Sequence, residues 1–152
     1  MAQADAAMSR HAYVSEASRL DDASKLSRHA HEAYRLLHVA FVVAPIVAGI
    51  DKFLHLLTNW DKYVAPVVGR LLPVSVHAFM DVVGIIEIAA GLVVLFRPRI
   101  GAYVVAAWLV GIMINLVITG GYLDVALRDF GLCLAALALA RLSLEQEKKT
   151  QP

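Results

Sequence analysis

The chain has 152 residues, which is enough for one domain. Hydrophobic residues make up 59% of it, and this is more apolar surface than a water-soluble fold of this size can bury, so a lipid bilayer is the expected surrounding. The net charge of +1 excludes nucleic acid as a partner, and the single cysteine, Cys133, excludes an internal disulfide and a cysteine-rich zinc site.

Residues 1–33 form a polar segment rich in Ala, Ser and charge. The segment lacks the apolar core of a secretory signal, so we predict a polar cytoplasmic leader that forms a weakly amphipathic helix. Residues 34–143 are predicted to form a transmembrane domain, and residues 144–152 a short cytoplasmic tail.

Four apolar runs follow the leader, at residues 36–58, 75–96, 100–119 and 122–142. Each has about the 20 residues that a helix needs to cross a hydrocarbon core about 30 Å thick. Because backbone polar groups in lipid must be satisfied internally, each run is expected to be helical. Pro45, inside the first run, is expected to kink that helix without ending it. The sequence therefore predicts an all-α polytopic membrane protein, a bundle of four transmembrane helices.

The distribution of basic residues predicts the orientation. An excess of Lys and Arg marks the cytoplasmic side of a membrane protein. With four spans, the opposite side has only Lys62 and Arg70 in its loops. Both termini are therefore expected in the cytoplasm, on the side that carries Lys25, Arg28, Arg35, Arg97, Arg99, Arg141, Lys148 and Lys149.

Polar residues within or near the ends of the spans are the candidate functional residues. A charge at a helix centre costs on the order of 3 kcal/mol on insertion, so such residues normally face a partner or a cavity. With the predicted topology, all except Glu87 lie toward the outer face, and we expect a polar chamber open to the outer leaflet. The candidates for ligand binding or proton exchange are Asp51, Lys52, Asp81, Glu87, Asn115, Asp124, Arg128 and Asp129.

Helical spacing predicts which faces of two spans meet other helices. A stripe of Met80, Gly84, Glu87 and Gly91 directs Glu87 at a neighbouring helix. In the fourth span, Asp124 and Arg128 are four positions apart, which favours an ion pair on one face. That face continues through small residues that would allow close helix approach, namely Gly131, Ala135 and Ala138.

The excess of acids over bases in the spans predicts that Glu87 is protonated at neutral pH, ready to relay a proton or bind a ligand carbonyl. An equally open interpretation is that the charged residues only pair the helices and fix their register. A third interpretation is that they form a proton or ion pathway.

His55 and His77 could face each other across a haem or a metal, but no second ligand pair accompanies them in sequence, and we predict no metal site.

Three segments carry a resemblance to a known family: GIDKF at 49–53, IIEIAAGLVVL at 85–95, and YLDVALRDFGLCLAALALARL at 122–142. They resemble the DoxX-like family of small four-helix membrane proteins. The likeness covers residues 36–142 and leaves out the charged leader. Members of that family include a subunit of a thiosulfate:quinone oxidoreductase and partners of bacterial oxidative-stress and sulfur-handling enzymes.

The resemblance implies a small subunit or accessory partner in quinone-linked redox chemistry, located in the bacterial cytoplasmic (inner) membrane. Lys52 would hold an anionic sulfur species or a quinone oxygen, and Glu87 would exchange the accompanying proton. No tightly bound cofactor is expected, and a quinone is the expected substrate. The expected partners are the lipid bilayer, a soluble or membrane redox enzyme and a second copy of the chain. The alternatives are a non-catalytic scaffolding protein that docks a partner and a small proton-coupled transporter.

Overall fold

The structure is a computed structural model that describes the backbone of residues 2–150 and the side chains of residues 15–147. Every regular element in this part of the chain is helical, which confirms the all-α prediction. The elements are α1 (Ala2–Leu54), a 3₁₀ turn (Trp60–Tyr63), α2 (Pro66–Leu71), α3 (Val76–Phe96), α4 (Pro98–Thr119) and α5 (Leu123–Thr150).

The chain divides into two units, Met1–Ala33 and Tyr34–Pro152. The first unit is helical where it is described, and an ion pair of 2.7 Å joins Lys25 to Asp21 one turn earlier, the favourable spacing for opposite charges on a helix. The second unit contains the rest of α1, all other elements and the predicted site residues.

Two helix ends differ from the prediction. The first apolar run was expected to continue to residue 58, but α1 ends at Leu54. His55 has a positive φ of 54°, and the backbone leaves the helix there. At the other end of the chain, α5 continues to Thr150, so residues 144–150 of the predicted tail are helical.

One hydrophobic core joins the helices of the second unit. Phe41 of α1 and Val94 of α3 meet small and branched side chains of α4 and α5 in this core. Small residues let the helix backbones approach closely. Cys133 is buried here and packs as a small apolar side chain. The α4 and α5 residues of the core are Ala102, Val105, Ala106, Leu109, Cys133, Ala136, Leu139 and Ala140.

Three helical segments of the described chain are long and apolar enough to cross a membrane: Ser15–Leu54, Val76–Phe96 and Pro98–Thr119. Large apolar side chains are exposed on all three, such as Val43, Ile85 and Ile114. This surface matches a lipid surrounding better than water. The fourth predicted span, in α5, is not confirmed as membrane-crossing, because Asp129 and Arg141 bracket a shorter uncharged stretch.

The predicted face of α3 is confirmed. Met80, Gly84, Glu87 and Gly91 are all buried. A Cβ atom built on Gly84 would lie 2.7 Å from the carbonyl oxygen of Gly49, so α1 and α3 are nearly in backbone contact at this point. Close approach of this kind requires glycine on both helices.

The predicted face of α5 is wrong. Gly131 and Ala138 are exposed, and a Cβ atom built on Gly131 would meet no atom within 4 Å. The buried face instead follows another helical stripe, the residues Ala126, Asp129, Cys133, Ala136, Leu139, Ala140 and Ser143. Helical spacing alone cannot tell the stripe of Asp124 and Arg128 from the buried one, because both stripes carry a charged residue and small side chains.

Candidate functional site

The centre of the candidate site is a buried ion pair between α1 and α3. Lys52 lies in the last turn of α1, and Glu87 lies near the middle of α3. The Nζ atom of Lys52 donates a hydrogen bond of 2.5 Å to Oε2 of Glu87. The residues are 2% and 8% exposed, so two of the predicted site residues meet in the interior.

The ring of Trp60 covers this pair. Nζ of Lys52 lies 3.9 Å from the centroid of the ring, a cation–π distance. The lysine ammonium is therefore held by a carboxylate and by an aromatic face. The protonation of Glu87 stays a prediction, and the structure gives this side chain a lysine as its hydrogen-bond partner.

Asp51 organises the loop that carries Trp60. Its Oδ1 atom accepts hydrogen bonds from the backbone N–H groups of Leu56 (2.9 Å) and Leu57 (3.0 Å). Its Oδ2 atom accepts a bond of 2.7 Å from Nε1 of Trp60. Asp51 thereby satisfies donors that the end of α1 leaves free, and it positions the indole over Lys52.

Asn115 anchors the same loop from α4. Its Nδ2 atom donates to the carbonyl oxygen of Tyr63 (2.6 Å), and its Oδ1 atom accepts from the N–H of Ala65 (3.0 Å). Since both ends of the amide are engaged with backbone, Asn115 acts here by fixing the loop. Asn115 was predicted to lie near the other polar residues. In the structure it is connected to them through the loop, which it holds in position.

The charged residues of α5 form a separate group. Asp129 is 6% exposed, and its Oδ1 atom lies 3.5 Å from Nε of Arg128, whose side chain is largely exposed. The predicted pairing of Arg128 with Asp124 is wrong, because Arg128 contacts its sequence neighbour instead. Among the side chains of residues 15–147, no ion pair or hydrogen bond links this group to Lys52 or Glu87.

Asp81 and Asp124 are outside the buried site. Asp81 is half-buried on α3, and Asp124 is exposed in the first turn of α5. Within residues 15–147, neither is paired with another predicted site residue. Of the predicted site residues, the structure therefore brings together Asp51, Lys52 and Glu87, with Asn115 joined to them through the loop.

Trp60 and Asp61 belong to this region and were not predicted as site residues. A loop tryptophan between two spans is typical of a membrane–water interface, and no spacing rule connects its indole to charges on two helices. Asp61 was not singled out. The only signal in the sequence was that Asp61 lies between two histidines, His55 and His77. That the three side chains lie close together depends on the fold.

Asp61 lies beside His55 and His77. The two imidazole rings are stacked, with centroids 5.1 Å apart, and Nδ1 of His77 lies 3.5 Å from Oδ2 of Asp61. One nitrogen from each histidine and one oxygen from the carboxylate all lie within 4.8 Å of one another. The second acidic oxygen, Oδ1 of Asp61, is buried and has no hydrogen-bond partner in the described structure.

An open apolar groove runs along α1 and reaches the same loop. Its volume is about 520 Å³, and its lining has almost no polar surface. Leu57, at one end of the groove, is also one of the residues whose N–H donates to Asp51. The other lining residues are Val39, Ala40, Val43, Ala44, Val47 and Ala48.

No family model matches the chain, and neither a curated protein nor a solved structure shows significant similarity to it. The resemblance to the DoxX-like family is therefore neither supported nor contradicted, and it stays a prediction.

Proposed function

We propose that the chain is a DoxX-like integral membrane protein with four spans, and that it serves as a small subunit or accessory partner in quinone-linked redox chemistry. In this proposal both termini are cytoplasmic, the membrane is the bacterial cytoplasmic membrane, and α5 is the fourth span. The packing of α5 into the core shared with the other helices supports the fourth span. The distribution of basic residues supports the orientation.

The buried pair of Lys52 and Glu87 is the observation that carries the functional proposal. An ionisable pair inside a membrane-spanning region is costly to place, and such residues commonly mark substrate or proton pathways. A lysine ammonium has three N–H donors. One bonds Glu87, and the ammonium also faces the ring of Trp60, so a quinone oxygen would reach a further donor by displacing that ring. The Glu87 carboxylate could then accept and return the proton.

The proposed ligand has a polar ring at the pair and an apolar tail along α1. The indole of Trp60 offers an aromatic face beside the ammonium. The groove on α1 offers apolar surface that ends at the loop of Asp51. A quinone has both parts, which is the reason for preferring it to an inorganic ion.

A second candidate function is a scaffolding membrane protein that docks a redox enzyme without binding a quinone. The observation that favours it is that Lys52 and Glu87 already satisfy each other inside the chain. A buried pair of this kind can simply fix which helices pack together.

Quinone binding can be tested through the fluorescence of Trp60. The chain has two tryptophans, so the variant Trp108→Phe leaves Trp60 as the only reporter. Titration of this variant in detergent with a short-chain ubiquinone analogue should give saturable quenching. In the same background, Glu87→Gln and Lys52→Met should weaken binding at least tenfold, whereas the exposed Asp124→Asn should leave it unchanged.

Quenching that rises without saturation, or that is equal in all four proteins, would rule out a quinone site at the pair. Helix content and elution volume must match those of the parent protein for the comparison to hold. Cross-linking in native membranes would then decide whether the chain docks a redox enzyme, as the scaffolding function requires.

A further inference from the structure

We infer that His55, Asp61 and His77 form a binding site for a divalent transition-metal ion, with Zn²⁺ as the best match. This site is separate from the Lys52–Glu87 pair and does not depend on the quinone proposal. Its three ligands come from three different parts of the chain: the residue after α1, the 3₁₀ turn, and the first turn of α3.

The donor set is chemically suited to such an ion. Two imidazoles and one carboxylate are a common ligand set for Zn²⁺ and for neighbouring first-row metals, while Ca²⁺ and Mg²⁺ prefer oxygen ligands alone. Ligand atoms about 2.1 Å from a tetrahedral zinc are about 3.4 Å apart. The three atoms here lie within 4.8 Å of one another, and Nδ1 of His77 is already 3.5 Å from the Asp61 carboxylate.

The unpartnered oxygen of Asp61 is a second observation that points to a ligand. Buried carboxylate oxygens are normally satisfied by a hydrogen bond, and an exception calls for an explanation such as an ion. Oδ1 of Asp61 is buried and accepts no bond in the described structure. The other oxygen of the same carboxylate, Oδ2, faces His77, so a cation bound by both carboxylate oxygens would satisfy Oδ1.

The backbone around the site is held in place before any metal binds. His55 has a positive φ of 54°, and no other non-glycine residue among residues 2–150 has one. Asn59 accepts a hydrogen bond of 3.0 Å from the N–H of Asp61. The turn is further anchored by the bonds of Trp60 to Asp51 and of Tyr63 to Asn115.

Backbone strain of the kind seen at His55 concentrates at functional sites, where the surrounding structure maintains it. An ion bound here would cross-link the end of α1 to the start of α3. With three protein ligands, the fourth position of a tetrahedral ion would be taken by water or by an exogenous ligand.

The test is metal binding by the full chain in detergent, after treatment with a chelator and its removal. Titration calorimetry with Zn²⁺ should show one ion per chain, and Co²⁺ should give the visible absorption of a tetrahedral nitrogen and oxygen site. Asp61→Asn and His77→Gln should each weaken Zn²⁺ binding at least tenfold. The control His29→Gln, in the first unit, should bind as the parent does.

His55→Asn provides a third variant, because asparagine tolerates a positive φ but lacks the imidazole. It should lose affinity while keeping the parent's helix content. The inference is overturned if the parent chain binds no Zn²⁺, or if the folded Asp61→Asn and His55→Asn proteins bind it as tightly as the parent. A failed Zn²⁺ titration would leave the quinone test unaffected.

Discussion

Lys52 is almost fully buried because every part of its side chain has a suitable neighbour. Its ammonium contacts the carboxylate of Glu87 and the face of Trp60, and its Cβ atom packs near Gly84, where α1 and α3 are closest. Taking two charges out of water is costly, and their mutual attraction offsets that cost only when the geometry is good. Removal of one partner therefore leaves an uncompensated buried charge.

Disruption of the pair should be strongly destabilising in a way that depends on which partner remains. Lys52→Met alone and Glu87→Gln alone are each expected to lower the free energy of unfolding. For Lys52→Met, the expected loss is about 3–5 kcal/mol. The double variant Lys52→Met/Glu87→Gln should lose less than the sum of the two single changes. Unfolding of purified protein by increasing SDS in mixed micelles measures all three.

Additive losses in that cycle would show that the two side chains are not energetically coupled, in conflict with the contact seen here. Asp124→Asn provides the control, since Asp124 is exposed and its replacement should change stability by less than about 0.5 kcal/mol.

At the scale of the elements, the contact of α1 with α3 depends on glycine. A Cβ atom on Gly49 would lie 2.6 Å from the carbonyl oxygen of Gly84 and 2.8 Å from Cγ1 of Ile88. These are shorter than real Cβ contacts, and the nearest atom is backbone that cannot turn away. The two helices would have to separate to admit a methyl group, and this would also pull apart Lys52 and Glu87, each of which is three residues from one of these glycines.

Gly49→Ala and Gly84→Ala should therefore each destabilise the protein by about 1–3 kcal/mol, as expected for overpacking. Gly131→Ala is the matched control, because a Cβ there meets no atom within 4 Å and alanine is the better helix former. It should be neutral or stabilise by up to about 1 kcal/mol. Thermal unfolding in detergent compares the three, and an equal effect at all three positions would contradict the close approach.

The connection between α1 and α3 is also an element with a definite structure. Asp51 holds it from α1, and Asn115 holds it from α4. The contacts of Asp51 explain why the helix ends at Leu54 although the apolar run continues. Hydrophobicity alone predicts a longer helix. The helix is shorter because the Asp51 carboxylate accepts the backbone N–H groups of the two residues that follow His55.

The helices differ in how well their length and charge suit a crossing of the membrane. Three segments have the length and composition to do so, while the charges of α5 shorten its apolar stretch. Asp129 of α5 is buried inside the chain, which reduces the cost of inserting it. We therefore expect α5 to cross.

Cysteine labelling in intact cells tests this topology. In a Cys133→Ser background, Gly121→Cys should react with a membrane-impermeant maleimide from outside. Ala23→Cys, and a cysteine appended after Pro152, should react only after the cells are opened. If α5 does not cross, the appended cysteine will be labelled together with Gly121→Cys. Labelling of Ala23→Cys in intact cells would reverse the proposed orientation.

The sequence alone determined the helical class, the approximate helix positions and the buried face of α3. It could do so because a long apolar run has one solution in lipid, a helix with internal hydrogen bonds, and because Met80, Gly84, Glu87 and Gly91 repeat at the helical period. It also indicated Asp51, Lys52 and Glu87 as residues that need a partner.

Their partners follow from how the helices pack. Lys52 and Glu87 are separated by 35 positions, and their contact depends on the depth and rotation at which α1 meets α3. The same is true of the rotation of α5, for which helical spacing indicated the stripe of Asp124 and Arg128, whereas packing buries that of Asp129. Side-chain contacts between elements, such as those joining His55, Asp61 and His77, follow from how the elements pack, and no local pattern encodes that.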